Sequence, residues 1–273
     1  MADTDVVKRD LAALSPGLPV NWEEYKEPVP FPDINPHSPL KPSPAFLPPP
    51  VTTRVSSKEL VTAPYRSIGR MGMNFVLHGK TLKVTATGWV VAKRAFVTAG
   101  HSVYREIYGG WITWAGFAPR YNRRVDTAFG VESVYTLKGW VDSGEPRYDL
   151  AACVITGEFA DTEPPLVFSN SDLPRLSVTA IGYPARPSGQ FNFNGERMWK
   201  CIGEFVRDED GMRIAANNLT EGSSGGPWGD TVDNSEIVGL TSTRDEEHFE
   251  QPISKSPFFA QGFQNLYDAV KDL

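Results

Sequence analysis

From about residue 61 onward the chain alternates short apolar runs with polar turns. The runs "TLKVTATGWVVA", "RAFVTAG", "GGWITWAG", "GVESVYTLKGW", "LAACVIT", "LSVTAIGY", "KCIGEFV", "MRIAAN" and "EIVGLTST" are rich in β-branched and aromatic side chains. Each has the length of a strand, and turn residues separate them at hairpin spacing. No stretch before the C-terminal end keeps a long 3.6-residue period. The pattern predicts an all-β domain, a pair of barrels or a sandwich. The last segment differs. In "PFFAQGFQNLYDAVKDL", Phe259, Phe263, Leu266, Tyr267 and Val270 fall at i, i+4, i+7, i+8 and i+11. That is one apolar face of a helix over about 257–272, begun after Pro257. It is expected to pack on the second half of the β domain.

The N-terminal segment has another character. Residues 1–50 hold 12 of the 23 prolines, in phrases such as "EPVPFPDINPHSPLKPSPAFLPPP". Proline removes backbone donors and fixes φ, so the segment is neither helix nor central strand. Residues 1–60 are read as a Pro-rich extended arm, a linker or a disordered segment. The functional alternatives are a prosegment, a belt wrapped on the folded domain, or a ligand for a proline-binding partner. Residues 61–273 make up the folded domain.

Composition narrows the function classes. The 273 residues can bury a sizeable core, and a net charge of -6 predicts no nucleic-acid footprint. No run of 18 apolar residues exists, so no membrane span is expected. The start, "MADTDVVKRDLAALSPGLPV", lacks the long apolar region of a secretory signal. Two cysteines, Cys153 and Cys201, are too few for a disulfide framework and match no metal pattern. They read as buried small apolar residues. No metal and no cofactor are implied.

Candidate chemistry sits at three places. Of the four histidines, His37 lies in the arm, His78 in a hairpin turn ("VLHGK") and His248 in an acidic loop ("RDEEHFEQ"). The fourth, His101, ends the apolar strand and small residues of "AFVTAGHSVY". Asp149 in "RYDLAACVI" opens into an apolar strand, where an unpaired carboxylate is costly. A turn aspartate capping its own backbone is the plainer reading. Ser224 stands within "EGSSGGPWGD", a stretch of four glycines with little to bury. Alone, such a stretch reads as a loop.

In order, "TAGH", "YDLA" and "GSSGGP" run His, Asp, Ser with separations of 48 and 75 residues. That order is the chymotrypsin-like one. The chain over roughly 60–273 resembles the trypsin-like serine peptidases. "APYRSIGRM", "TGWVVAKRAFVTAGHSVY", "IGYPA" and "GSSGGPW" resemble their bacterial-type, glutamyl endopeptidase branch. The resemblance implies two six-stranded Greek-key β-barrels, about 61–160 and 161–256, followed by the terminal helix. It implies a serine endopeptidase acting on protein or peptide substrates. His101 would be the base, Asp149 its orienting acid and Ser224 the nucleophile. The amides of Gly222 and Ser224 would form the oxyanion hole, with Gly225 and Gly226 allowing the turn that follows.

Departures from the family matter too. Extracellular relatives bridge a cysteine after the catalytic histidine to one on the preceding strand; Ser102 and Ala86 stand there. With no leader evident, the expectation is a cytoplasmic, reducing location, with secretion as the alternative. Ser223 replaces the acid that pairs with a new amino terminus in trypsin-like zymogens. The pocket would be lined by Asn218 and Leu219 before the nucleophile and by Thr241, Ser242, Thr243 and Arg244 of "GLTSTR". Thr241 and Leu219 stand where glutamyl endopeptidases place a histidine and a hydroxyl residue. An uncharged side chain before the scissile bond is therefore expected, with Arg244 as the rival source of acid preference. Ser242 would hydrogen-bond the triad aspartate, and its neighbours would pair with substrate backbone. The alternative function is a protease-like binding module without turnover, which a fluorophosphonate probe would distinguish.

Overall fold

The computed structural model describes residues 2–11, 21–31, 47–161, 163–169, 175–207, 212–230, 236–245 and 252–273. Residues 12–20 and 32–46 of the arm, the latter with His37, and the acidic loop with His248 lie outside these residues. In chain order the first strands are β1 (Val6–Asp10), β2 (Glu27–Pro28), β3 (Val51–Arg54), β4 (Ile68–Leu77), β5 (Lys80–Ala92) and β6 (Ala95–Thr98). They are followed by the short pair β7 (Tyr104–Arg105) and β8 (Gly110–Trp111), then β9 (Trp114–Pro119), β10 (Phe129–Leu137) and β11 (Ala151–Ile155). The hairpin between β4 and β5 turns at His78 and Gly79, with φ of 49° and 76°. Two positive φ values in a two-residue loop match the right-handed twist of the flanking strands.

These strands close the first barrel. Its order is β4, β5, β6, β11, β10 and β9, and β9 returns to pair with β4. Closure removes the edges that would otherwise expose backbone donors and acceptors. The interior is filled by Met71, Phe75, Phe96, Phe117, Val134 and their neighbours.

The second half contains β12 (Val167–Phe168), β13 (Arg175–Gly182), β14 (Trp199–Arg207), β15 (Arg213–Ala216), β16 (Pro227–Asp230), β17 (Glu236–Leu240), β18 (Thr243–Asp245) and β19 (Ile253–Ser256). The sheet order is β12, β17, β16, β13, β14, β15, β19, β18. It curls around Phe193, Phe205, Leu219 and Trp228. Here the structure departs from two fully laddered barrels: among the described residues no ladder joins β17 to β19. The seam has a physical cause. A Cβ on Gly239 would stand 2.6 Å from Ser256 Oγ, and the next residue, Pro257, has no N–H to give. The Leu240 N–H instead donates to Ser256 Oγ at 2.9 Å.

A third core lies between the halves, where Trp89 and Leu137 meet Ile181, Tyr183, Ile237 and Leu240. The helix α1 (Lys138–Ser143) is short and falls where the sequence suggested the tail of a strand; α2 (Gln261–Val270) is the terminal one. The expected docking of α2 needs correction, because it packs mainly on β10, β11 and β1 of the first barrel. Phe263 stacks on Trp89 at 5.9 Å and 4°, while Phe168 meets it edge-on at 4.6 Å. A Cβ on Gly262 would stand 2.7 Å from Leu137, so the small residue sets the close approach. The apolar face is the expected one, but it is buried mainly against β10 and β11 of the first barrel and the added strand β1, with Phe168 of the second half at its edge. No helix among the described residues is long and apolar enough to cross a membrane.

The described parts of the first sixty residues lie on the domain as added strands. β1 pairs with β10, β2 runs parallel to β5, and β3 pairs with β14.

Candidate active site

Strand register brings the acid to the histidine. β11 pairs with β6 so that Ala151 faces Thr98. Asp149, two residues before Ala151, then meets the turn Gly100–Ser102 that follows β6. A Cβ on Gly100 would lie 3.0 Å from both Asp149 Oδ1 and the Trp140 ring, so the approach depends on glycine. The backbone N–H of His101 donates to Asp149 Oδ1 at 2.6 Å, and His101 Nδ1 meets Oδ2 at 2.8 Å. The hydroxyl of Ser242, from the second half, donates to the same Oδ2. Both the histidine and aspartate side chains are 0% exposed. Such a carboxylate needs this many donors to offset its desolvation. The arrangement fixes the tautomer: the Nδ1 proton faces the acid, and Nε2 is left as an acceptor.

The loop around Ser224 is fastened at most of its polar groups. Thr87 donates from Oγ1 to the Gly222 carbonyl at 2.8 Å and from its N–H to the Ser224 carbonyl at 2.9 Å. The Gly225 N–H donates to Thr241 O, the Gly226 N–H to Ser223 O, and the Thr241 N–H returns to Gly226 O. Ser223 turns its hydroxyl onto the Thr220 carbonyl. Gly222 and Gly225 have φ of 95° and 79°. At Gly225 a Cβ would collide with Thr98 Oγ1 at 2.2 Å, so left-handed backbone and lack of space both demand glycine. Among the described residues no hydrogen bond takes the N–H of Gly222 or Ser224. Those are the two amides that the sequence assigned to an oxyanion hole.

Gly225 packs against Thr98 and Ala99, which lead directly to His101. His101 Nε2 and Ser224 Oγ are both buried without a hydrogen-bond partner. No hydrogen bond joins them in this structure. A base with a free lone pair and a hydroxyl with a free proton are the two groups that proton abstraction requires.

The candidate pocket residues are largely enclosed. Leu219 belongs to the second core, and Thr241 Oγ1 accepts the Trp228 indole N–H at 3.0 Å. Asn218 donates to Thr52 Oγ1 on β3 at 3.2 Å. Arg244 donates to the Leu219 carbonyl and, at 3.5 Å, lies near Ser188 Oγ. Thr243 and Arg244 belong to β18, the last strand in the sheet order.

The sequence did not single out four further residues at the site. Thr87 holds the loop from the first barrel. Trp140 meets the His101 ring edge-on at 6.4 Å and donates its indole N–H to the Tyr104 carbonyl. It also lines an open cavity of about 230 Å³ with Arg105, Ile107 and Val141. Phe31 of the arm meets the His101 ring at 6.4 Å from another direction, and Arg105 anchors that segment. Only Trp140 carried a signal in the sequence, aromatic character near a motif, and that is also the signal of any core residue; Thr87, Arg105 and Phe31 carried none.

The thiols of Cys153 and Cys201 are free and buried, one in each barrel's core. Burial pushes both thiols up from their ordinary value. Among the described residues, no three of His, Cys, Asp and Glu stand together as a metal ligand set.

Known structures agree on the architecture. Protease Anisep from Arthrobacter nicotinovorans superposes with a TM-score of 0.67 at 23% identity, over 82% of this chain and 100% of that one. A Glu endopeptidase solved in complex with MPD gives a TM-score of 0.66 at 21% identity, over 81% and 97%. A thermostable serine protease, AL20, from an extremophilic microorganism gives 0.64 at 23%, over 77% and 99%. The fold is the chymotrypsin-like fold of serine proteases, and the glutamyl endopeptidase type is among its neighbours. In sequence, the chain is 30% identical over 138 residues to the extracellular metalloprotease of Bacillus subtilis (strain 168). That match covers 48% of this chain and 42% of the relative, so the chain spans less than half of the relative's length. No family model matches the chain.

Proposed function

We propose that the protein is a serine endopeptidase. The observation that carries this reading is the donor set on Asp149, which leaves His101 Nε2 as a buried acceptor while Ser224 Oγ has no partner. In the first half-reaction Ser224 Oγ attacks the scissile carbonyl carbon and His101 Nε2 takes its proton. Asp149 stabilises the resulting imidazolium. The amides of Gly222 and Ser224 hold the oxyanion as it forms. The C–N bond then breaks, and His101 returns the proton to the departing amine. Water attacks the acyl-enzyme by the same route, giving the carboxylic acid and restoring Ser224.

Support comes from the fold of the superposed proteases and from the agreement of this geometry with the His–Asp–Ser order. The relative named as a metalloprotease lends weight to peptide-bond hydrolysis in general. The serine-type reading rests on the site itself. A tagged fluorophosphonate tests it: covalent labelling at Ser224, lost in Ser224→Ala, is the expected result. A native chain that hydrolyses peptides but resists the probe would overturn the nucleophile assignment.

A further inference from the structure

His101 is fully buried, although a catalytic histidine must reach substrate. One of the rings against it belongs to the chain's own N-terminal segment. Phe31 stands edge-on to the imidazole at 6.4 Å. The segment leading to it is tied to the first barrel at successive points. Glu24 pairs with Lys83, and Arg70 donates to the Tyr25 carbonyl. Glu27 and Pro28 run parallel to Val84 and Thr85, and the Val29 N–H donates to the Thr85 carbonyl at 3.0 Å. Arg105 then donates to the carbonyls of Pro30 and, at 3.0 Å, Phe31. Thr85 lies two residues before Thr87, which binds the Ser224 carbonyl. The segment thus follows the strand whose Thr87 holds the loop that carries Ser224.

We infer that the side of β5 around Val84 and Thr85, which β6 does not reach, is a peptide-docking surface, filled in cis by residues 27–31, and that the docking closes the catalytic site. The inference rests on the serine-protease reading. The bonds explain the class of ligand. Thr85, Arg70 and Arg105 all engage main-chain groups, so the surface takes an extended chain with few demands on side chains. Pro28 and Pro30 flank Val29 and carry no N–H, so over residues 28–30 Val29 is the one backbone donor. Val29 is fully buried, and Phe31 supplies the aromatic end that stands edge-on to the imidazole. The ligand class is an extended, proline-containing peptide ending in an aromatic residue. Such a peptide competes with substrate for the same ground.

The test uses the full-length chain, with Phe31→Ala and Val29→Pro as separate variants. The first removes the ring over His101, and the second removes the N–H that Thr85 accepts. The rate of fluorophosphonate labelling at Ser224 scales with the fraction of molecules whose site is open, so about tenfold faster labelling is expected in each variant. A synthetic peptide of residues 21–31, added to the Phe31→Ala chain, should slow labelling in proportion to its concentration. The same peptide carrying Phe31→Ala should not. Native and variant chains labelled at equal or slower rates, with unchanged thermal unfolding, would overturn the block while leaving the protease reading intact. A chain that never labels, arm loosened or not, would overturn both.

Discussion

The hydroxyl of Thr87, on a strand of the first barrel, donates to the carbonyl of Gly222 at 2.8 Å, 135 residues further along the chain. The same oxygen accepts the N–H of Tyr183 at 3.0 Å. Thr87→Val keeps the shape and removes both partners, leaving a buried acceptor and a buried donor unpaired at about 1–3 kcal/mol each. The expected outcome is a lower melting temperature and a fall in kcat of about tenfold or more as the loop loosens. Thr87→Ser should restore most of both. Calorimetry and peptide hydrolysis on the three proteins check this.

Ser224→Ala should abolish turnover while leaving the fold intact. Removing the nucleophile of a catalytic triad costs about a millionfold in kcat. Ser223 directs its hydroxyl to the Thr220 carbonyl, so Ser223→Ala should keep appreciable activity. The opposite ranking in a hydrolysis assay would move the nucleophile to Ser223.

Both cysteines should titrate as thiols only after unfolding. Each sits in a separate core, and burial disfavours the thiolate that a disulfide reagent needs. Under denaturing, non-reducing conditions the reagent should count two thiols, and in the native protein it should react slowly. A count of none would mean a bridge between the two barrels, which this fold does not permit without rearrangement.

Cleavage should follow medium uncharged residues more often than glutamate. A buried glutamate side chain needs a cation or several donors. Thr241 accepts from Trp228 and has a single hydroxyl proton to offer, Leu219 is apolar, and Arg244 is directed to the Leu219 carbonyl. Cleavage-site mapping on a peptide library checks this. A dominance of cuts after glutamate that disappears in Arg244→Ala would reverse it.

Acid should loosen the tie between Glu59 and the second barrel. Lys200, with Ser56, holds the Glu59 carboxyl down to about 2 from an ordinary 4.5. Because the folded value is the lower one, this contribution is present above about pH 4.5 and fades as pH falls toward 2. Glu59→Gln should flatten the change in melting temperature over that interval. Thermal unfolding measured across the window for both proteins checks this.

The sequence made some of this readable and concealed the rest for identifiable reasons. His101, Asp149 and Ser224 each carried a local signature, and their order linked them across long separations. The β pattern was readable because strand faces alternate. The docking of α2 was not, because the Phe259–Val270 face reveals which side is buried and says nothing of the surface it meets. Trp140 was hidden inside an apolar run that ends as a strand at Leu137 and continues as a helix. The seam beside β17 depends on a hydroxyl, Ser256, that no periodicity distinguishes from any other serine. The contact of Phe31 with His101 was hidden most completely, because proline-rich composition predicts extended backbone wherever the segment lies.

Hydrogen bonds cross between the halves in both senses. Ser242 of the second reaches Asp149 of the first, and Thr87 of the first reaches Gly222 of the second. Neither half is therefore chemically complete. Split apart, one would keep a buried carboxylate short of a donor, and the other a left-handed glycine whose carbonyl has lost its partner. Gene fragments encoding the halves should consequently recover activity only when they assemble with each other, and reassembly would restore both bonds in a single step.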